Sequence, residues 1–199
     1  MEGEQKGRLV AAQGAKVEVL GRLLPAGREF QLLAASIIFD AQELRASEPE
    51  ASLQGLGLAP LGGAGLALGE LRAAAKSLEA NPEGVRFSGG ALLQGMDAQG
   101  VPMTLRAGSL WISGAFDLGT GVLAPEQALR SLEASDGFTW VYGGLGRARG
   151  RRMIATRQRV SFWGDSGEQC SIDVGRSNGT LSLQSRFIEL DLVSFLVTA

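Results

Sequence analysis

The sharpest charge feature of the chain is LGRARGRR (145–152), where Arg147, Arg149, Arg151 and Arg152 have no acidic residue among them. A planar guanidinium grips phosphate oxygens two at a time, so alternating arginines on a hairpin suit an anionic headgroup or another polyanion. The plainer reading is a solvated hairpin whose arginines pair with acidic neighbours. Trp140 and Tyr142 lie just upstream of the run. They and the other tryptophans, Trp111 and Trp163, suit core packing or the wall of a ligand groove.

Catalytic chemistry is harder to assemble. The chain has no histidine and one cysteine, Cys170. That removes Ser-His-Asp and Cys-His catalysis, histidine-ligated zinc or iron, and any internal disulfide. Cys170, in QCSIDV, reads as a small buried strand residue with no base to activate it. Ser166, in GDSGE (164–168), likewise lacks a histidine partner, so that segment reads as a turn. Asp165 and Glu168 offer carboxylates without the loop spacing of an EF-hand. The carboxylates of Asp97, Asp117, Asp136, Asp173, Glu189 and Asp191 form no pair that spacing would bring together. GGLG (143–146) lacks the helix and lysine of a phosphate-binding loop. No catalytic residue, cofactor or metal is expected, and the chain reads as a non-enzyme.

The composition is that of one ordinary globular domain: 199 residues, 45% apolar, 20% charged, formal net charge −2. So even a balance argues against nucleic acid or an anionic membrane as a whole-protein partner. The 29 glycines are spread along the chain, as expected where many short elements meet at tight turns. The opening MEGEQKGRLV is too polar for a signal peptide. The expected compartment is therefore the virion or cytoplasm, or the cell envelope or periplasm if a leader has been removed.

The elements that must hold these residues are strands. Segments 8–21, 30–42, 103–114, 152–164 and 181–192 share a plan: an apolar start, a small residue near the middle, and an apolar-x-apolar exit. Alternate strand residues face opposite sides, so each segment lines a core or groove with one face. The parity breaks at the small residue, which predicts a bulge or bend there. Turns are expected at PAG (25–27), DAQG (97–100), GDSGE and RSNG (176–179), the last an Asn-Gly hairpin signal. Two stretches depart from this pattern. GELRAAAKSLEA (69–80) spaces Leu71, Ala74, Ala75 and Leu78 as a helix does, and PEQALRSLEA (125–134) reads as a shorter helix with Pro125 in its first turn. The glycine-rich 53–69 is expected to be a loop, a loose edge or a mobile arm. The predicted fold is all-β: one mainly antiparallel open jelly roll or sandwich over 1–199, of at least eight strands joined as a meander. One or two short helices are inserted, with 53–82 as the loop-plus-helix insertion.

The segment GVRFSGGALLQGMDAQGVPMTLRAGSLWI (84–112) resembles the OstA-like family, envelope proteins that bridge lipopolysaccharide to the outer membrane. The likeness rests on Val85, Phe87, Ser88, Gly89, Ala91, Leu93 and Gln94, then on Ala107 and Leu110 after a polar turn. It implies a half-closed β-jelly roll whose apolar inner face shields acyl chains and whose protomers stack edge to edge. On that reading Phe39, Leu105, Leu110 and Phe162 line the groove, and the arginines at 147–152 meet anionic headgroups near its rim. The partners implied are an amphipathic lipid and a β-protein joined by edge pairing, a second copy included. The alternative from a different class is a structural component of a self-assembling particle, such as a phage tail or capsid protein. It requires a closed, packed interior where the lipid reading requires an apolar groove.

Overall fold

The computed structural model describes residues 8–19, 29–40, 43–54, 68–81, 83–97, 101–113, 116–117, 122–123, 130–143, 146–156, 158–176, 179–191 and 197–199. Its strands are β1 (Arg8–Val19), β2 (Glu29–Asp40), β3 (Glu43–Ser47), β4 (Glu50–Gln54), β5 (Leu68–Ala74), β6 (Ser77–Asn81), β7 (Gly84–Asp97), β8 (Pro102–Ser113), β9 (Phe116–Asp117), β10 (Val122–Leu123), β11 (Ser131–Tyr142), β12 (Gly146–Gly150), β13 (Arg152–Thr156), β14 (Arg159–Trp163), β15 (Cys170–Arg176), β16 (Gly179–Ser185), β17 (Phe187–Asp191) and β18 (Val197–Thr198). For β1, β4, β9 and β10 the description is of the backbone alone. Every pairing is antiparallel, and no helix occurs among the described residues.

The short strands are halves of longer ones. β3 and β4 together run along β2, and β5 and β6 together run along β7. β12 and β13 divide the length of β11 in the same way, and β14–β15 and β16–β17 repeat the arrangement. The chain is thus a meander of long antiparallel rungs, each broken near its middle. Where a rung is not cut it shifts register: between Ala12 and Ala15, Ser88 and Ala91, and Ser135 and Phe138.

The breaks line up from rung to rung and form a crease across the sheet. Backbone bonds stitch it: Lys76 N donates to Ser88 O (3.1 Å), Gly137 N to Arg151 O (3.0 Å), Arg151 N to Trp163 O (2.8 Å) and Gly164 N to Arg186 O (3.0 Å). At Gly89 (φ 81°), Gly90 (φ 93°) and Gly137 (φ 85°) the crease uses the left-handed region, which costs glycine little. One outward row beside it is Ser36, Ser47, Ser77, Ser88, Ser109 and Ser135, paired in that order. Small side chains suit a bend, and their hydroxyls find partners there. Ser36 Oγ and Ser47 Oγ are 2.7 Å apart, and Ser109 Oγ donates to Phe87 O at 3.3 Å.

The crease divides the sheet into two leaves. β3, β6, β13, β14 and β17 belong to the first, and β4, β5, β12, β15 and β16 to the second; β7, β8 and β11 cross from one to the other. The parity break lets both ends of a crossing strand point inward. On β8, Met103, Leu105 and Ala107 are buried before the break, and Leu110 and Ile112 after it. The inward rows run across the leaves by register. In the first leaf the row is Ala46, Leu78, Phe87, Leu110, Ala134, Met153, Phe162 and Ile188, every one buried. In the second it is Ala73, Leu93, Leu105, Trp140, Ala148, Ile172 and Leu183. The leaves close on each other: the Phe138 ring of the second stacks on the Phe162 ring of the first, centroids 5.7 Å apart, and Trp140 stacks on Phe162 at 6.2 Å.

Three expectations are revised. The predicted helix at 69–80 is strand β5, a break at Ala75 and Lys76, and strand β6. A creased strand imitates helical spacing, because the odd step at the break puts the positions of Leu71 and Leu78 two helical turns apart. Pairing on both sides, with β4 and β3 and with β7, then overrides the alanine-rich propensity. Within the predicted helix at 125–134, residues 131–134 open strand β11, and 125–129 lie outside the described residues. The segment 152–164 is a hairpin of β13 and β14, not one strand; Thr156 Oγ1 caps its turn by accepting from Gln158 N and Arg159 N. Of the glycine-rich 53–69, residues 55–67 lie outside the described residues, as do the turn at 25–27 and residues 98–100. The Asn-Gly hairpin signal is met by the β15–β16 pairing, which runs up to Arg176 opposite Gly179.

Candidate functional site: an apolar interior and an arginine-lined outer cleft

The interior holds three of the residues expected to line a groove. Leu105 and Leu110 are each 1% exposed and Phe162 is 0% exposed, so all three are covered in the interior. Phe39 lies on β2 opposite Leu9 and Leu44; its side chain is outside the described residues. Among the described residues the space between the leaves is packed, with no open apolar groove at these positions.

The packing loosens toward the last rungs. Val174 and Leu181 are cross-strand partners on the inward face of the second leaf, yet they are 36% and 51% exposed. Val197, opposite Leu190, is 52% exposed. Among the described residues these apolar inward positions are therefore exposed, while Ile188 on the same rung stays fully buried. Here β16 pairs with β15 alone among the described strands, and at the far end β1 pairs with β2 alone. The β16 sequence, GTLSLQS, has neither charge nor proline to discourage another strand from pairing with it.

The arginine run is split by the geometry. Arg147 and Arg149 stand on the outward face of β12, either side of buried Ala148. Arg151 lies on the crease, 3.6 Å from Asp136 and 4.0 Å from Asp165. Arg152 Nε donates to Glu133 Oε1 at 2.7 Å, and its guanidinium lies over the Trp163 ring, 5.5 Å from the centroid. Arg151 and Arg152 are thus neutralised in the solvated manner expected of a surface hairpin. Exposed pairs of this kind contribute at most about 1 kcal/mol each.

Arg149 takes part in something the sequence did not disclose. By register Arg106, Thr139, Arg149, Ser171 and Gln184 form one outward row across the second leaf. Beside this row opens a cleft of about 950 Å³, lined by Arg106, Arg149 and Arg186 together with Glu168 and Gln169. Its flank is the loop 164–169, which replaces the one- or two-residue breaks of the other rungs. Glu168 N donates to Asp165 O at 3.2 Å, so GDSGE is a turn, as expected, and Asp165 Oδ1 accepts from Ser166 N at 2.7 Å. Arg106 and Arg186 are not conspicuous in the sequence, because strand register brings Arg106 near Arg149 and the break between β16 and β17 brings Arg186 to the same cleft.

No family model matches this chain, and no curated protein matches it. Several described carboxylates are already engaged: Asp136 and Asp165 by Arg151, Glu133 by Arg152, Glu189 by Arg159 and Ser161, and Asp173 by Ser182. Among the described residues no three potential metal ligands come together. Cys170 is fully buried, and that burial pushes its thiol above the ordinary range; Sγ donates to Ser185 O at 3.0 Å. A neutral, covered thiol is a packing group and a poor nucleophile. Trp140 packs inside, whereas Trp111 carries the Arg86 guanidinium over its ring at 5.3 Å.

Proposed function

We propose that this chain is a non-catalytic binding and bridging protein that shelters the acyl part of an amphipathic lipid between its two leaves and joins another β-edge at its open end. The observation that carries the reading is the pair of apolar rows that run across successive rungs, with the further inward positions Val174, Leu181 and Val197 left exposed on the last strands. An uncharged edge strand beside exposed apolar inward positions suits a partner that continues both, by strand addition. The resemblance of 84–112 to the OstA-like family supports the same reading, and the cell envelope is the compartment it implies.

The full burial of Leu105, Leu110 and Phe162 favours a second reading. On it the interior is a core and nothing more, and the open edge serves a self-assembling particle.

Titration with a fluorescent acyl probe such as cis-parinaric acid separates the two. Saturable binding, weakened about tenfold or more by Val174→Asp with Leu181→Asp, is the expected result; both sites are already solvent-facing, so the fold tolerates the change. A folded protein that takes up no probe, while still self-associating through β16, would establish the second reading instead.

A further inference from the structure

Arg106, Arg149 and Arg186 come from three separate parts of the chain and line one outward cleft. All three are exposed, and among the described residues none of them makes an ion pair. That sets them apart from Arg151, Arg152 and Arg159, whose carboxylate partners lie within 4.0 Å. Glu168 is the only carboxylate among the described residues lining the cleft. Three like charges gathered against one carboxylate repel one another, and an anion bound between them relieves that repulsion.

The cleft is also built. Arg149 Nε donates to Ser171 Oγ at 3.0 Å, and Ser171 is only 3% exposed, so one guanidinium is anchored while its terminal nitrogens remain to bind. Arg106 and Arg149 are one strand apart on either side of Thr139, which puts their backbones about 10 Å from each other. Two long side chains at that spacing reach a common oxyanion, and Thr139 supplies a hydroxyl between them. Loops that depart from a regular scaffold at one place commonly carry function. Here the loop 164–169 departs from the crease and walls this cleft.

We propose that the cleft is a binding site for a phosphate group, carried by a small soluble phosphate ester or by a lipid headgroup. It lies on the outward face, apart from the inward apolar rows, so it does not depend on the lipid-shelter reading and can fail or succeed separately from it.

Calorimetric titration of the whole chain with inorganic phosphate, in a buffer free of other multivalent anions, tests it directly. One saturable site is expected. Arg106→Gln together with Arg186→Gln should weaken it about tenfold or more, because charge-assisted bonds to phosphate are lost. Arg130→Gln, an exposed arginine that does not line the cleft, should leave it unchanged. Co-sedimentation with phosphatidylcholine vesicles, with and without phosphatidic acid, separates the two sources. Capture that needs phosphatidic acid and is competed by free phosphate identifies a headgroup, and phosphate binding without capture identifies a soluble ester. Absence of saturable phosphate binding, or an equal loss in the Arg130→Gln protein, would overturn the site. So would phosphatidic-acid capture that survives the double substitution.

Discussion

Phe162→Ala is expected to cost about 3–5 kcal/mol of folding stability, read as a lowered urea midpoint with an unchanged slope. Phe162 is fully buried and lies between the leaves, stacked on Phe138 and Trp140. It also sits in an unbroken inward row, flanked by Met153 and Ile188, both buried. Truncation there removes a large apolar surface and leaves a cavity that β-strands, stitched on both sides, close only in part. The loss is greatest if the leaves are held together mainly by this aromatic contact. A loss under about 1 kcal/mol would mean that the two leaves do not close on each other at Phe162.

The second large effect lies on the crease. Gly150→Ala should destabilise by about 1–3 kcal/mol, measured in the same denaturation. A Cβ at Gly150 would stand 2.7 Å from the Trp163 carbonyl oxygen, 2.9 Å from Cys170 Cβ and 2.9 Å from the Phe138 ring. Two of those neighbours belong to the adjoining strands β14 and β15 and cannot step aside independently. Gly167→Ala is the matched control. Its Cβ would meet nothing within 4 Å, so a change within about 0.5 kcal/mol is expected. If both substitutions behave alike, close approach at the crease is not what Gly150 provides.

These two sites show what could be read from the chain and what could not. Alternation and the parity break around Gly108 were visible in MTLRAGSLWIS, and they led to an all-β fold with bent strands. What alternation could not supply was the partner of each strand. The same local pattern in ELRAAAKSLEA satisfied a helix equally well, and only pairing with β3, β4 and β7 decides for strands. The inward rows are invisible for the same reason, since Phe87, Leu110, Ala134 and Met153 meet only through register. The arginines show the converse. LGRARGRR is conspicuous as a run, yet the strand end at Gly150 sends Arg151 and Arg152 to carboxylates and leaves Arg149 to a cleft shared with distant Arg106 and Arg186. Sequence proximity was a poor guide to which charges act together.

The lipid-shelter reading and the packed interior are compatible if acyl chains lie along the exposed inward positions of the last strands, or if the leaves part to admit them. The rows of leucine, isoleucine, phenylalanine and methionine offer the same chemistry in either case, because apolar burial is non-directional. The interior combines a tight aromatic stack with apolar inward positions, Val174 and Leu181, that are exposed on the last strands.

The most direct test is mass spectrometry of lipids extracted from the purified protein, against a mock purification. Stoichiometric co-purifying acyl lipid is expected, lost when Leu181 and Val174 are replaced by aspartate in a protein that remains folded. A folded wild-type chain free of lipid would contradict it, and would leave the packed core and open edge to be explained by assembly alone.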